Sequence, residues 1–176
     1  MTTGFLRDQH FTTAWFGLVA FVWFGWAQED PPRAWRGWLG PRSGLGVVIA
    51  LGFGALTGLN RGEPTALEGR YGWFGLLVAV EVVAAGVGGL VLARRRASRW
   101  TAWWVAAVVA AHFPPLAVLL EDWAVAVVGF AQLALLCSLL PRLRGDGLPS
   151  SRLVGPVMGA TLLLRAVVGA VAAVAR

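Results

Sequence analysis

Three side chains in this sequence are of types that do acid–base or ionic chemistry, and each sits inside a long apolar run. They are Glu81, His112 and Arg165, surrounded by Ala, Val, Leu and Gly. An ionisable group in such a setting costs free energy unless it is paired or faces water, so it is a functional-site candidate by default. Gln132, in a fourth run, adds a neutral amide. A carboxylate accepts a proton or a cation, an imidazole titrates near neutrality, and a guanidinium supplies a countercharge or holds an anion. Counted along ideal helices at about 1.5 Å per residue, Glu81 and His112 lie roughly 10 to 12 Å below the ends of their runs, and Gln132 and Arg165 roughly 13 to 14 Å. One polar layer near the midplane of four helices is therefore expected.

His112 stands in the segment AAHFPPLA, so Pro114 and Pro115 follow it in mid-run. Neither proline has an N–H, which deprives the carbonyls of Ala110 and Ala111 of their helical donors and predicts a helix break. Broken helices at midplane are one way transporters build ion or substrate sites. A plainer account uses the same residues. Glu81 and Arg165 form a buried ion pair that fixes helix register, His112 and Gln132 complete its hydrogen bonds, and the proline pair only kinks its helix. For Gln132 alone, interhelical hydrogen bonding is the favoured role. The sequence leaves the functional and the structural accounts open.

Several chemistries are set aside, and no catalytic residue is assigned. The single cysteine, Cys137, excludes an intrachain disulfide and any cysteine-based metal or redox pair. His10 precedes the first run, so one chain does not supply two deep histidines for haem, and one His with one Glu falls short of the usual three zinc ligands. No metal site and no cofactor is expected. No G-x-S-x-G elbow, Walker A loop or H-E-x-x-H motif occurs, and Ser138 has no histidine on its own run.

The elements that must position these groups follow from composition. Of 176 residues 57% are hydrophobic and 14% charged, where a soluble domain carries about 25% charged residues. Apolar runs long enough for a hydrocarbon core of about 30 Å recur along the chain. They predict an all-α integral membrane bundle of six transmembrane helices in one domain, at about 11–27, 45–59, 74–93, 101–120, 123–140 and 156–174. A signal peptide is the rival reading of the first run, since Gly25-Trp26-Ala27 before Gln28 resembles a cleavage site. The bulky Trp15, Trp23 and Trp26, with only Arg7 against Asp8 ahead of them, favour a retained span. Glu29 to Gly44 reads as a polar, Pro-rich link with Trp35 and Trp38 at headgroup level. Gly54 and Gly58 are spaced for close helix approach, more within the bundle than between copies. Glu121 and Asp122 alone separate the fourth and fifth runs, which must form a tight antiparallel hairpin. Trp73, Trp100, Trp103, Trp104 and Trp123 at run starts read as an interfacial belt. A Thr-Ala-Trp at residues 13–15 and again at 101–103 is too short to establish an internal repeat.

All 15 basic residues are arginine, and with the abundance of Ala, Gly and Val this suggests a GC-rich bacterial genome. Their dispersal among loops argues for helix orientation rather than a nucleic-acid partner. Six spans put Arg7, Arg61, Arg70 and Arg176 on one side. Arg33, Arg36, Arg42, Arg94, Arg95, Arg96, Arg99, Arg142, Arg144 and Arg152 fall on the other. The positive-inside rule then places the three basic loops in the cytoplasm and both termini outside, in a bacterial plasma (inner) membrane. Those loops are also suited to contact with anionic headgroups.

From Glu81 to Leu140 the chain resembles a group of small, uncharacterised bacterial polytopic membrane proteins. The matching elements are ARRRASRW and VAAHFPPLA, with His112, Phe113, Pro115, Leu116 and Ala117 on a His-Phe-x-Pro-Leu-Ala signature. The resemblance implies fold and location, and no activity. Two functions are consistent with these readings. One is binding or conduction of a small solute or ion at a midplane site built from Glu81, His112, Arg165 and Gln132. The other is a structural or accessory subunit whose polar residues specify packing, with a homo-oligomer or a membrane partner protein against its glycine faces.

Overall fold

The computed structural model describes residues 4–145 and 147–175. Six long helices follow in order: α1 (Leu6–Ala27), α2 (Arg36–Leu59), α3 (Tyr71–Arg94), α4 (Thr101–Leu120), α5 (Trp123–Gly145) and α6 (Ser151–Val174). Short 3₁₀ turns at Arg33–Trp35 and Ser98–Trp100 lead into α2 and α4, and no strand occurs among the described residues. Five helices, α2 to α6, are long and apolar enough to cross a membrane. α1 is not among them, because its first turns carry Asp8, Gln9, His10, Thr12 and Thr13 and its length carries three tryptophans. It is nevertheless the helix about which the bundle is built, lying between α2 and α6, while α4 pairs with α5 and α3.

The helices alternate in direction, as the contacts at their ends establish. At one end Asp8 holds the α2–α3 loop: its carboxylate accepts from the Thr65 hydroxyl and the Ala66 N–H, both at 2.7 Å. Arg70 of the same loop pairs with Glu121 of the α4–α5 turn at 3.3 Å. At the other end the Ser151 hydroxyl donates to Glu29 at 2.7 Å, and the Ser150 N–H donates to the Arg99 carbonyl at 2.8 Å. The basic loops thus share one end. Arg176 of the charge tally lies outside the described residues.

Three boundaries differ from the apolar runs. α2 begins at Arg36 rather than near Leu45, so most of the expected link is helix. Hydropathy marks where a helix becomes apolar, whereas backbone hydrogen bonding continues through Arg36–Gly44, with Pro41 absorbed inside it. α5 likewise runs past Pro141 to Gly145, placing Arg142 and Arg144 in its last turn, where cations meet the helix dipole favourably. α6 starts at Ser151, ahead of Pro156.

α4 also continues through Pro114 and Pro115 as α-helix, so the expected break is corrected. The orphaned Ala110 carbonyl faces Gly129 of α5, where an added Cβ would stand 2.7 Å from that oxygen. Having no side chain there, α5 approaches α4 closely on the face that Pro114 leaves without an N–H.

Glycines set the closest crossings, though not the expected ones. Gly17 and Gly46 face each other, and a Cβ on either would stand 2.7 Å from the other's carbonyl oxygen. Gly155 fits against the Trp23 carbonyl and Ala27, and Gly159 against the Phe24 ring, each at 2.8 Å for an added Cβ. Gly54 has no atom within 4 Å of such a Cβ, and Gly58 meets only the tip of Arg61 at 3.9 Å. The close approach expected at Gly54 and Gly58 within the bundle is therefore corrected: α2 crosses α1 nearer its start.

Candidate functional site

The polar face of α1 is where the site begins. Asp8, Gln9, Thr12, Thr13 and Phe16 recur at helical spacing and are all buried, so one face carries polar groups for two turns before becoming aromatic. The groups expected to form one layer lie around this face, in three separate arrangements.

Arg165 of α6 pairs with Asp122, not with Glu81. Nη2 donates to Asp122 Oδ2 at 2.6 Å, and the two side chains are 4% and 1% exposed. Asp122 also caps α5, accepting from the Ala124 N–H at 3.1 Å through its other oxygen. The guanidinium lies over the Phe16 ring, 5.8 Å from its centroid. Its Nε and Nη1 have no hydrogen-bond partner, and neither do the Thr13 hydroxyl or Gln9 Oε1. Gln9 Nε2 donates to the Gly169 carbonyl at 3.4 Å, and an added Cβ on Gly169 would collide with Thr13, so this part of the bundle has little room.

Glu81 of α3 faces His112 of α4. His112 Nδ1 stands 3.1 Å from Glu81 Oε2, close but not aligned as a hydrogen bond. The imidazole is buried at 7% exposure, while Glu81 keeps 24%. The pair borders a cavity of about 280 Å³ between α1, α3 and α4, walled by Phe11, Trp15, Phe16 and Phe74. Phe11 and Trp15 stack at 6.3 Å. A second, smaller cavity of about 140 Å³ also touches Phe11 and Phe74 and reaches Arg7 and Asp8 at the helix ends. The Phe16 ring therefore separates the Arg165–Asp122 ion pair from the Glu81–His112 contact: Arg165 lies over it, while the Glu81–His112 cavity abuts it.

Gln132 of α5 belongs to neither. Its Nε2 donates to the Thr161 hydroxyl of α6 at 2.7 Å, and Gln132 itself is fully buried. This is the interhelical bond expected of it, one helical turn from Arg165. The supposed network of Glu81, Arg165, His112 and Gln132 is thus corrected to the pairs Glu81–His112, Arg165–Asp122 and Gln132–Thr161.

In the sequence Asp122 reads only as half of the two-residue link between the fourth and fifth runs, which gives no sign of burial. Depths reckoned from each run's own end assume that all ends are level. In the α4–α5 turn Glu121 and Trp123 are exposed, but Asp122 is fully buried and turned inward, where Arg165 of α6 reaches it. The polar periodicity of residues 8–16 was the available signal. Among the described residues, no cluster of three His, Cys, Asp or Glu could hold a metal ion.

No protein-family profile, no curated protein and no solved structure matches the chain.

Proposed function

We propose that this is a six-span protein of a bacterial inner membrane, with its arginine-rich end in the cytoplasm and both termini outside, and that it binds or conducts a small cationic solute at the Glu81–His112 cavity. The arginine imbalance between the two ends supports the orientation. The buried polar face of α1 is compatible with a sixth span, since it turns toward α2 and α6 rather than toward lipid. The segment from His112 to Ala117 supports kinship with the small bacterial polytopic proteins it resembles.

The observation that carries the site is the contrast between the Arg165–Asp122 ion pair and the Glu81–His112 contact. Arg165 and Asp122 are sealed in a tight part of the bundle, whereas Glu81 borders a cavity roomy enough for a small molecule. Among the cavity's lining residues Glu81 alone carries an acidic group, and four aromatic rings surround it. A carboxylate with aromatic faces suits a cation, which gains from both the charge and the ring quadrupoles. His112 adds a second polar group at the same end of the cavity, its Nδ1 3.1 Å from the carboxylate.

The test is thermal stability of the purified protein in detergent against inorganic cations, organic ammonium ions and neutral solutes. A cation at 100 times its dissociation constant should stabilise the fold by about 2.7 kcal/mol, and Glu81→Gln should abolish that gain. Stabilisation that Glu81→Gln leaves intact would place the ligand elsewhere.

A second reading rests on α3, none of whose residues is buried. In it α3 is the face on which a membrane partner completes the bundle, and the chain is an accessory subunit. Co-purification with one partner, lost in the exposed-face variant Val82→Trp, together with no solute response, would support it over the first.

A further inference from the structure

A groove of about 810 Å³ lies at the basic end, between the start of α2 and α6. We infer that this groove seats one anionic phospholipid, with its headgroup at Arg42 and one acyl chain along α6. The α6 wall consists of Pro156, Val157, Ala160, Leu163, Leu164 and Val167. These recur at the spacing of a single helix face, and the wall is apolar throughout. From Pro156 to Val167 the face is roughly 16 Å long, about half of a hydrocarbon core of about 30 Å and hence one leaflet deep. Phe24 of α1 contributes to the wall and is itself only 1% exposed.

The mouth has the chemistry of a headgroup zone. Trp35 and Trp38 border it, both exposed, and the Arg42 guanidinium stacks over the Trp38 ring at 5.2 Å to the centroid. Interfacial tryptophans with a snorkelling arginine mark the boundary between headgroups and acyl chains. Arg33 and Arg36 stand on the same stretch of chain, and the acidic Glu29 and Asp30 precede them. Glu29 is engaged by Ser151. Arg42 is the charged residue within the groove lining, so charge complementarity selects an anionic headgroup, and depth selects an acyl chain in the leaflet nearest the basic loops. This site shares no lining residue with the Glu81 cavity, which lies toward the other end of α1, against α3 and α4.

Native mass spectrometry of the intact protein released from detergent tests it directly. The probes are phosphatidylglycerol and phosphatidylcholine with identical chains, and glycerol phosphate as the headgroup without a chain. Phosphatidylglycerol should bind about fivefold more tightly than phosphatidylcholine, as one interfacial arginine provides, and glycerol phosphate should not be retained. Arg42→Gln should erase the preference, and Ala160→Trp, at an exposed position of the groove, should weaken both lipids. Melting temperature checks that each variant is folded, and Arg42→Gln suffices if Ala160→Trp is not. Equal binding of the two lipids, retention of glycerol phosphate alone, or a preference unchanged by Arg42→Gln would overturn the proposal.

Discussion

The two sides of α1 handle buried charge in opposite ways. Toward α2 and α6, close glycine contacts at Gly17, Gly46, Gly155 and Gly159 bring helices together, and the Arg165–Asp122 pair is sealed near Gly169, where an added Cβ would meet Thr13 and Arg165. Toward α3 and α4, a helix with no buried residue faces a cavity, and its Glu81 remains partly exposed. The same chemistry, a cation or imidazole opposite a carboxylate, is scaffold on one side and a candidate site on the other. Room beside the pair makes the difference.

Breaking the sealed pair should have the largest effect. Asp122→Asn or Arg165→Met leaves a buried charge without its countercharge and should cost about 3–5 kcal/mol in denaturant or thermal unfolding. The double variant should recover most of that loss, because neither charge is then stranded, and asparagine preserves the cap on α5. A double variant as unstable as the singles would mean that the pair itself specifies the packing.

The glycine contacts sharpen the comparison next. Gly17→Ala puts a methyl group 2.7 Å from the Gly46 carbonyl oxygen and should destabilise by about 1–3 kcal/mol. Gly54→Ala meets nothing and should be neutral or stabilising by up to about 1 kcal/mol through helix propensity. Equal effects at the two positions would show that the α1–α2 crossing has been misplaced.

On the open side, Gly88 receives the Trp104 indole, which donates to the Ala84 carbonyl at 3.0 Å and pins α3 to α4. Gly88→Ala should dislodge that ring and loosen α3, read as faster thiol labelling of a cysteine introduced on α3, with a stability loss of about 1–3 kcal/mol. The smallest effect is expected at Gln132, where replacement by Leu removes one interhelical hydrogen bond worth about 0.6 kcal/mol.

Much of this arrangement was legible in the residue order. Apolar length announces the helices from α2 onward, and the two-residue Glu121–Asp122 spacing dictates the α4–α5 hairpin, with Glu121 in the left-handed conformation at φ 53°. The pairing of charges was not legible, because depth along one helix says nothing about how far its neighbour has been shifted along the bundle axis. Asp122 looks like a loop residue until its side chain is seen buried against Arg165 of α6. Pro114 and Pro115 look like a break until Gly129 is seen facing the orphaned carbonyl. Both facts depend on a partner helix. Gly155 and Gly159 carried the same G-x-x-x-G spacing as Gly54 and Gly58, and sequence spacing does not say which of two such pairs meets a neighbour.

The central claim is that the open pair recognises a ligand and the sealed pair does not. Its most direct test is the cation-dependent shift in melting temperature, measured on wild type, Glu81→Gln and the Asp122→Asn/Arg165→Met double variant. The account predicts a shift in wild type and in the double variant, and none in Glu81→Gln. A shift that survives in Glu81→Gln but disappears in the double variant would reverse the two roles, and the absence of any shift in wild type would remove the binding site altogether.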